Sequence, residues 1–270
     1  MKPKVTVVIP TINRESLPIT LASVNDQSFR GFKVIIVDDS QDQSVESRIY
    51  QVIKTGGLKG VSKARNLGIA HSESDFTALL DDDDFWHRGY LAKQISNFKE
   101  LQIDFGLTGA IVNGHNRPKN TLKIGESPFE LLYGTYHLLR SPSYLPTSAY
   151  MFRTEIFEKI NFDETISDRE NLKFIWDSFK IGCSIYQDPK SLVTINYSKR
   201  SSLSRIDLAQ EIDWSHYLQT FEENWSQNFI VESARNFIRF GDRKSANILI
   251  SMLNPEKKFL LKTFLKLMAL

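Results

Sequence analysis

Four consecutive aspartates, Asp81 to Asp84, stand out as residues that could do chemistry. Like charges this close repel one another, so such a run in a folded protein indicates a bound cation that offsets the repulsion. In an extended segment alternate side chains face the same way, which predicts that Asp81 and Asp83 point together and that Asp82 and Asp84 point oppositely. Carboxylate oxygens suit Mg²⁺ or Mn²⁺, which commonly joins carboxylates to phosphates. The alternative is a solvated acidic turn.

Two further polar clusters follow apolar, β-branched runs. Residues 10–14 (Pro-Thr-Ile-Asn-Arg) come after the first run, and Asp38-Asp39-Ser40 comes after the second. A carboxylate there can accept a hydrogen bond from a nucleotide base or a ribose hydroxyl, and the alternative is that Asp39 or Ser40 caps a helix. Lys63 and Arg65 lie near a predicted helix start, which favours anions, unless both are simply solvated.

Alternating strands and helices must position these clusters. The patterns predict strands at 5–9, 33–37, 51–54, 76–80, 106–113 and 149–152, with extended segments at 184–187 and 192–197. They predict helices at 17–27, 60–70, 90–101, 154–160 (capped by Thr154) and 168–181, then C-terminal helices at 207–225, 228–240, 242–253 and 256–269. Residues 114–147 are predicted to be mostly loop around a short helix near Phe129–Tyr133. Ligands of such α/β sheets lie at the carboxyl ends of the strands, so the three clusters should share one edge.

Composition excludes several classes of protein. The 270 residues are 41% hydrophobic and 24% charged, with a net charge of +2, which fits a globular chain without the basic field of a nucleic-acid-binding protein. Cys183 is the single cysteine and the five histidines lack metal-ligand spacing. No dinucleotide or P-loop glycine motif occurs. Without a signal peptide or a long apolar run, we expect a cytoplasmic protein.

Several motifs, taken together and in order, resemble the inverting family 2 glycosyltransferases of GT-A fold over roughly residues 4–205. They are Val-Val-Ile-Pro-Thr at 7–11, Val-Asp-Asp-Ser at 37–40, Ala-Arg-Asn-x-Gly at 64–68 and Leu-Asp-Asp-Asp-Asp at 80–84. The resemblance implies a GT-A catalytic domain over residues 1–205, with a mainly parallel central sheet flanked by helices. Residues 206–270 would form a C-terminal helical region.

The resemblance also implies roles for individual residues. Asp39 would meet the base, Arg65 would touch base or phosphate, and Asp82 would reach the ribose. Pro10, Thr11 and Arg14 would line the nucleotide pocket. Asp83 would be the main ligand of Mn²⁺ or Mg²⁺, assisted by Asp81.

The acceptor side of the family pattern is less complete here. The usual Glu-Asp pair is replaced by Ser167-Asp168-Arg169-Glu170, so Asp168 is our candidate general base and Glu170 the reserve, and the alternative is that Asp168 caps its helix. A late loop that often carries a histidine reads Asn-Tyr-Ser-Lys-Arg at 196–200. Lys199 or Arg200 would supply positive charge there, or would be solvated.

The activity implied is transfer of a sugar from a nucleotide donor, with UDP-sugar the best guess, to a hydroxyl of a glycan or lipid-linked acceptor. Bacterial surface polysaccharide synthesis is the expected setting. The rival hypotheses are a metal-dependent nucleotidyltransferase and an inactive sugar-nucleotide or glycan binding module.

The tail at 256–270 mixes four lysines with bulky apolar residues at near-helical spacing. This pattern is typical of a helix that lies on an anionic membrane surface, which would place the protein peripherally on the inner face of the membrane. The alternative is docking on its own protein or on a second subunit in a homodimer.

Overall fold

The computed structural model describes residues 3–41, 44–117, 120–134, 145–166, 168–196 and 207–268. The chain divides into two compact units. The first contains Met1–Pro128 and Ser143–Asn196, and the second contains Phe129–Pro142 and Tyr197–Leu270. Lys199 and Arg200 lie outside the described residues.

The first unit is built on a nine-stranded sheet. Its strands are β1 (Val5–Thr11), β2 (Phe32–Asp38), β3 (Gln51–Lys54), β4 (Phe76–Leu79), β5 (Phe85–Trp86), β6 (Phe105–Val112), β7 (His115–Arg117), β8 (Met151–Arg153) and β9 (Ile185–Ile195). The order across the sheet is β3-β2-β1-β4-β8-β6-β9-β5, and β7 pairs with β6.

The sheet is mixed. Strands β3, β2, β1 and β4 are parallel, as the sequence predicts, and so are β6 and β9. Strand β8 is antiparallel to both β4 and β6, and the short strands β5 and β7 are antiparallel to their partners. Antiparallel neighbours need no crossover helix, which is why the alternation of strands and helices does not reveal them.

The apolar residues of the strands and the register in which the strands pair explain the parallel half of the sheet. Every residue of β1 is buried, as expected for a strand covered on both faces. Thr11 at the end of β1 lies opposite Asp38 at the end of β2, and Val8 lies opposite Leu79 at the end of β4. The polar segments that follow these strands therefore emerge at one edge of the sheet.

Four helices accompany the sheet: α1 (Leu17–Asn25), α2 (Val61–Ala70), α3 (Tyr90–Leu101) and α4 (Glu170–Lys180). Helix α2 packs closely on the sheet through Gly68, because a Cβ at that position would lie 2.4 Å from Val8 Cγ1. Short 3₁₀ helices occupy Thr147–Ala149 and Thr154–Glu158. The predicted cap by Thr154 is wrong, since its hydroxyl instead lies 2.9 Å from that of Thr77.

The second unit is helical, as predicted for the C-terminal region. It contains a π-helical segment (Glu130–Gly134) and helices α5 (Leu208–Gln219), α6 (Glu223–Arg239), α7 (Arg243–Met252) and α8 (Pro255–Met268). Val231, Ala234 and Leu249 form part of its fully buried core. Within the described parts of the chain, none of the helices combines the length and apolar character needed to cross a bilayer.

Candidate functional site

The polar turns that follow β1, β2 and β4 meet at one edge of the sheet. The hydroxyl of Thr11 donates to the carboxylate of Asp82 over 2.5 Å, and Arg14 donates to the other oxygen of the same carboxylate. The backbone N–H of Asp39 donates to the carbonyl of Thr11 over 2.8 Å. Pro10 is buried beside them in β1. The structure thus brings together the three clusters that the sequence places at the ends of separate strands.

The aspartate run forms a turn, in which the N–H of Asp84 donates to the carbonyl of Asp81 over 3.1 Å. Asp82 and Asp84 are buried, whereas the side chains of Asp81 and Asp83 are 28% and 41% exposed. The alternation that we expected in an extended segment therefore appears in a turn. Asp82 and Asp84 are enclosed by the protein, whereas Asp81 and Asp83 stay partly exposed, although Asp81 accepts from Arg65 and Asp83 lies 3.6 Å from Arg14.

Burial and mutual repulsion disfavour negative charge in this turn. Burial raises the pKa of Asp83, Arg14 at 3.6 Å partly opposes that rise, and the charges of Asp81 and Asp82 add to it. Burial, followed by the charge of Asp81, also raises the pKa of Asp84, although the Ser148 hydroxyl donates to its carboxylate over 2.5 Å. An added cation would relieve this repulsion.

The donor set fits a divalent cation that is completed by a ligand. Asp81 and Asp83 are two hard oxygen donors, and Mg²⁺ is commonly bound by one or two carboxylates together with substrate phosphates and waters. Across the residues that the structure describes, no group of three or more histidine, cysteine, aspartate or glutamate side chains is arranged to hold a metal alone. Any metal here would therefore need further oxygens from solvent or substrate.

Arg65 is buried between two carboxylates. Its Nη2 donates to Asp81 over 2.7 Å and its Nη1 donates to Glu170 over 2.6 Å, with the guanidinium 5.3 Å from the ring centre of Phe162. Burial, the largest single influence, would lower the pKa of Arg65, but the charges of Asp81 and Glu170 and the hydrogen bonds to them together outweigh burial and raise it. The solvated alternative is therefore wrong for Arg65, while Lys63 is half-exposed and pairs with Glu164.

Asp39 holds the loop that precedes α2. Its buried carboxylate accepts hydrogen bonds from the Thr55 hydroxyl and from the N–H groups of Lys59 and Gly60, the latter two over 2.8 and 2.9 Å. In the described segments 39–41 and 44–50 no helix begins, so the prediction that Asp39 or Ser40 caps a helix is wrong. Because two of its partners are backbone groups of the 55–60 loop, Asp39 fixes the approach to the start of α2.

Asp168 and Glu170 lie at the start of α4 in different surroundings. Helix α4 begins at Glu170 and Arg169 precedes it at a φ of 61°, without a side-chain cap. Asp168 is 48% exposed and pairs with Arg169, so the prediction that Asp168 caps the helix is wrong. Glu170 is largely buried and its carboxylate accepts from Arg65.

Sequence reasoning missed Ser148, which is fully buried at the site. Its hydroxyl donates to Asp84 over 2.5 Å and accepts from the N–H of Asp81 over 3.1 Å, and its carbonyl accepts from the indole of Trp86. Ser148 lies a few residues before the apolar run of β8. The aspartates lie directly after the apolar run of β4. That position beside a strand is the only signal the sequence contains.

Comparison with known proteins agrees with this geometry. The sequence model described as Glycosyl transferase family 2 matches residues 6–161. A pre-mycofactocin glycosyltransferase of Mycobacterium tuberculosis is 30% identical over 70% of this chain and 42% of its own length. The amylovoran biosynthesis glycosyltransferase AmsB of Erwinia amylovora is 32% identical over 58% of each protein. This chain thus spans about half the length of these two relatives.

Among solved structures, S. aureus TarS residues 1–349 in complex with UDP-GlcNAc is similar at a TM-score of 0.62 with 19% identity, covering 96% of this chain and 79% of that one. The complex of the same fragment with UDP gives a TM-score of 0.61 with 18% identity, covering 97% and 86%. These likenesses confirm the GT-A fold that the sequence resemblance implies. With its clustered polar turns at one sheet edge and a family match over more than half its length, this chain belongs to glycosyl transferase family 2.

Proposed function

We propose that this protein is an inverting glycosyltransferase that moves a sugar from a UDP-sugar to a hydroxyl of a glycan or lipid-linked acceptor. The observation that carries the proposal is the meeting of the turns after β1, β2 and β4, where Asp82 is held by Thr11 and Arg14 while the side chains of Asp81 and Asp83 are partly exposed. The TarS complexes with UDP and UDP-GlcNAc support a uridine donor. The name of AmsB supports bacterial surface polysaccharide synthesis as the setting.

On the donor side, the chain's own residues form a platform for a nucleotide. Asp39 would meet the base beside Pro10 and Thr11, and Asp82, fixed by Thr11 and Arg14, would accept from the ribose hydroxyls. Arg65 would touch the base or a phosphate while paired with Asp81, and Lys199 or Arg200 would contribute positive charge toward the donor. The assignments for residues 10 to 82 follow the polar edge of the sheet, where ligands of α/β proteins bind, and those of Lys199 and Arg200 rest on the family resemblance.

Asp83 and Asp81 would hold Mn²⁺ or Mg²⁺. When bound there, the cation would neutralise the negative charge that develops on the departing diphosphate. The two carboxylates suit this task because they are the exposed members of the aspartate run and because burial and repulsion leave Asp83 short of compensating charge.

On the acceptor side, Asp168 would be the general base. Its carboxylate would take the proton of the acceptor hydroxyl while the oxygen forms a bond to C1 of the sugar and the bond from C1 to the diphosphate breaks. A single displacement of this kind inverts the anomeric centre. Both carboxylates pair with an arginine, Asp168 with Arg169 and Glu170 with Arg65. Asp168 is favoured because its side chain is 48% exposed, whereas that of Glu170 is 12% exposed and bonded to a buried guanidinium.

A product assay tests the reaction class. The protein is incubated with UDP-sugars, Mn²⁺ and glycan or lipid-linked acceptors, and released nucleotides are separated by chromatography. We expect UDP and a product of inverted anomeric configuration. Release of pyrophosphate in a parallel incubation with UTP and a sugar 1-phosphate would identify a nucleotidyltransferase instead. Tight UDP-sugar binding without any transfer or hydrolysis would identify a binding module.

A further inference from the structure

We propose that Glu170 is a positioning residue that acts through Arg65 to hold Asp81 in place for the cation and the donor diphosphate, and that it is not the general base. This inference rests on the proposed function, since it assigns a task within the same site. Its starting point is a chain of two short ion pairs, in which one guanidinium joins Glu170 to Asp81.

The bridge links three separate elements. Arg65 lies on α2, Asp81 lies in the turn after β4, and Glu170 is the first residue of α4. The distances are 2.7 Å from Arg65 Nη2 to Asp81 Oδ1 and 2.6 Å from Arg65 Nη1 to Glu170 Oε1. Because separate nitrogens serve the two carboxylates, the guanidinium cannot turn toward one without leaving the other.

Arg65 has little freedom to move. Its side chain is 4% exposed and packs against the ring of Phe162. Helix α2, which carries it, sits close on the sheet because Gly68 lacks a Cβ that would meet Val8. The Arg65 guanidinium therefore fixes the position of the Asp81 carboxylate. The orientation of the guanidinium in turn depends on its ion pair with Glu170.

The charges of the three residues indicate how neutralising Glu170 would change the affinity of Asp81 for a divalent cation. Arg65, Asp81 and Glu170 together carry one net negative charge. Neutralising Glu170 would leave the whole positive charge of Arg65 on Asp81, which would draw Asp81 closer and reduce its attraction for a divalent cation. Residues that orient a metal ligand typically change metal affinity by about 10- to 100-fold when they are altered.

The same contacts argue against proton abstraction by Glu170. A base must accept the proton of the acceptor hydroxyl, and a protonated Glu170 would leave the buried guanidinium with one anionic partner instead of two. Removing one partner from a buried ion pair is strongly unfavourable. Asp168 is 48% exposed, and its arginine partner Arg169 is 20% exposed compared with 4% for Arg65, so protonation of Asp168 would leave a more solvated cation behind.

The test compares Glu170→Gln with Glu164→Gln in the full-length chain. Glu164 is the matched control, because it pairs with the neighbouring α2 residue Lys63 over 3.3 Å but is exposed and outside the site. Calorimetry measures UDP binding with and without Mn²⁺, and steady-state kinetics separates kcat from KM. We expect Glu170→Gln to weaken Mn²⁺-dependent UDP binding by about 10-fold or more, and Glu164→Gln to match the wild type.

Two results would overturn the inference. One is a large loss of kcat in Glu170→Gln with unchanged Mn²⁺-dependent UDP binding, which would make Glu170 the base. The other is no change in either quantity. If the wild type binds UDP with Mn²⁺ and transfers sugar, and Glu170→Gln has the same UDP binding and kcat, the positioning role fails and the proposed function stands. If the wild type neither binds UDP with Mn²⁺ nor transfers sugar, the proposed function itself fails.

A second variant covers the case in which Glu170→Gln does not fold. The double variant Arg65→Gln/Glu170→Gln removes both buried charges at once and leaves the net charge of the three residues unchanged. If Glu170 acts by positioning, Mn²⁺-dependent UDP binding still falls by about 10-fold in the double variant, because Asp81 has lost its anchor. Binding equal to the wild type would show that orientation of Asp81 is irrelevant and would reject the inference.

Discussion

Asp82 and Asp83 are neighbours in the chain with opposite surroundings. Asp82 is buried and bonded to Thr11 and Arg14, so its charge is compensated by the protein. Asp83 is partly exposed and its pKa is raised because burial disfavours its charge. Asp82 is therefore held by the protein, whereas Asp83 is the residue that we propose as the main ligand of the cation.

At the residue scale, Asp83→Asn should separate binding from stability. We expect Mn²⁺-dependent UDP binding to weaken by more than about 10-fold, because a cation ligand is lost. The melting temperature should stay the same or rise, since the folded state already disfavours the charged form at neutral pH. Calorimetry and thermal unfolding measure the two effects. Asp213→Asn, at an exposed position of α5, is the control, and a normal response of Asp83→Asn to Mn²⁺ would refute the assignment.

Asp168→Asn tests the base. General-base catalysis is typically worth about 10²–10⁴-fold, so kcat should fall on that scale while UDP affinity in calorimetry remains that of the wild type. The amide keeps the size of the side chain and removes its ability to take a proton. Full turnover by Asp168→Asn would place the base elsewhere in the chain.

At the scale of elements, α2 is the link between the sheet and the site. It carries Arg65 on the face that meets Asp81 and Glu170, and it approaches β1 closely at Gly68. The loop before it is tied to Asp39 by two backbone N–H groups. A small displacement of this one helix would therefore disturb the donor side and the acceptor side together.

Gly68→Ala should destabilise the protein by about 1–3 kcal/mol, the usual cost of overpacking a core. The added methyl would lie 2.4 Å from Val8 Cγ1 and 2.8 Å from Val37 Cγ2, both on buried strands. Urea unfolding measures the change. Gly89→Ala is the control, because a Cβ there would meet nothing within 4 Å, and equal stabilities of the two variants would contradict this account of α2 packing.

Helix α8 combines a buried side with an exposed one. Leu261 is fully buried and Lys257 donates to Asn228 of α6 over 2.7 Å, whereas Phe259 is 70% exposed. If α8 also lies on an anionic membrane surface, Phe259→Glu should reduce co-sedimentation with phosphatidylglycerol vesicles, because it places a negative charge where an apolar ring would insert. Ile248→Glu in α7 is the matched control. Equal pelleting of the wild type and Phe259→Glu would remove the membrane role.

At the scale of the whole molecule, binding of a ligand should raise the stability of the folded chain and therefore its melting temperature. A ligand that binds only the folded chain, present at about 100 times its Kd, stabilises by about 2.7 kcal/mol, which for a chain of this size raises Tm by about 5–10 °C. We expect UDP with Mn²⁺ to produce such a shift in thermal unfolding, and UDP with EDTA to produce much less. An identical shift with and without the metal would argue against a cation between Asp81, Asp83 and the diphosphate.

The amino-acid sequence alone determined the apolar strands of the parallel half and the polar residues that end them, because burial and strand periodicity act on neighbours in the chain. It also contains a hairpin signal at residues 113–114 that our predictions did not use, since the predicted strand includes residue 113 and the predicted loop begins at residue 114. Asn113-Gly114, both at positive φ, form the two-residue turn between β6 and β7, and this dipeptide strongly favours such a turn.

Only the tertiary structure decided which polar groups meet. Arg65 finds Asp81 16 residues away and Glu170 105 residues away, and Ser148 reaches Asp84 over 64 residues. The antiparallel placement of β8 between β4 and β6 brings Ser148 to the aspartates. Such contacts depend on strand order and register across the sheet, which no local pattern of residues encodes. Only the folded structure therefore shows which carboxylates are paired with protein groups and which remain partly exposed.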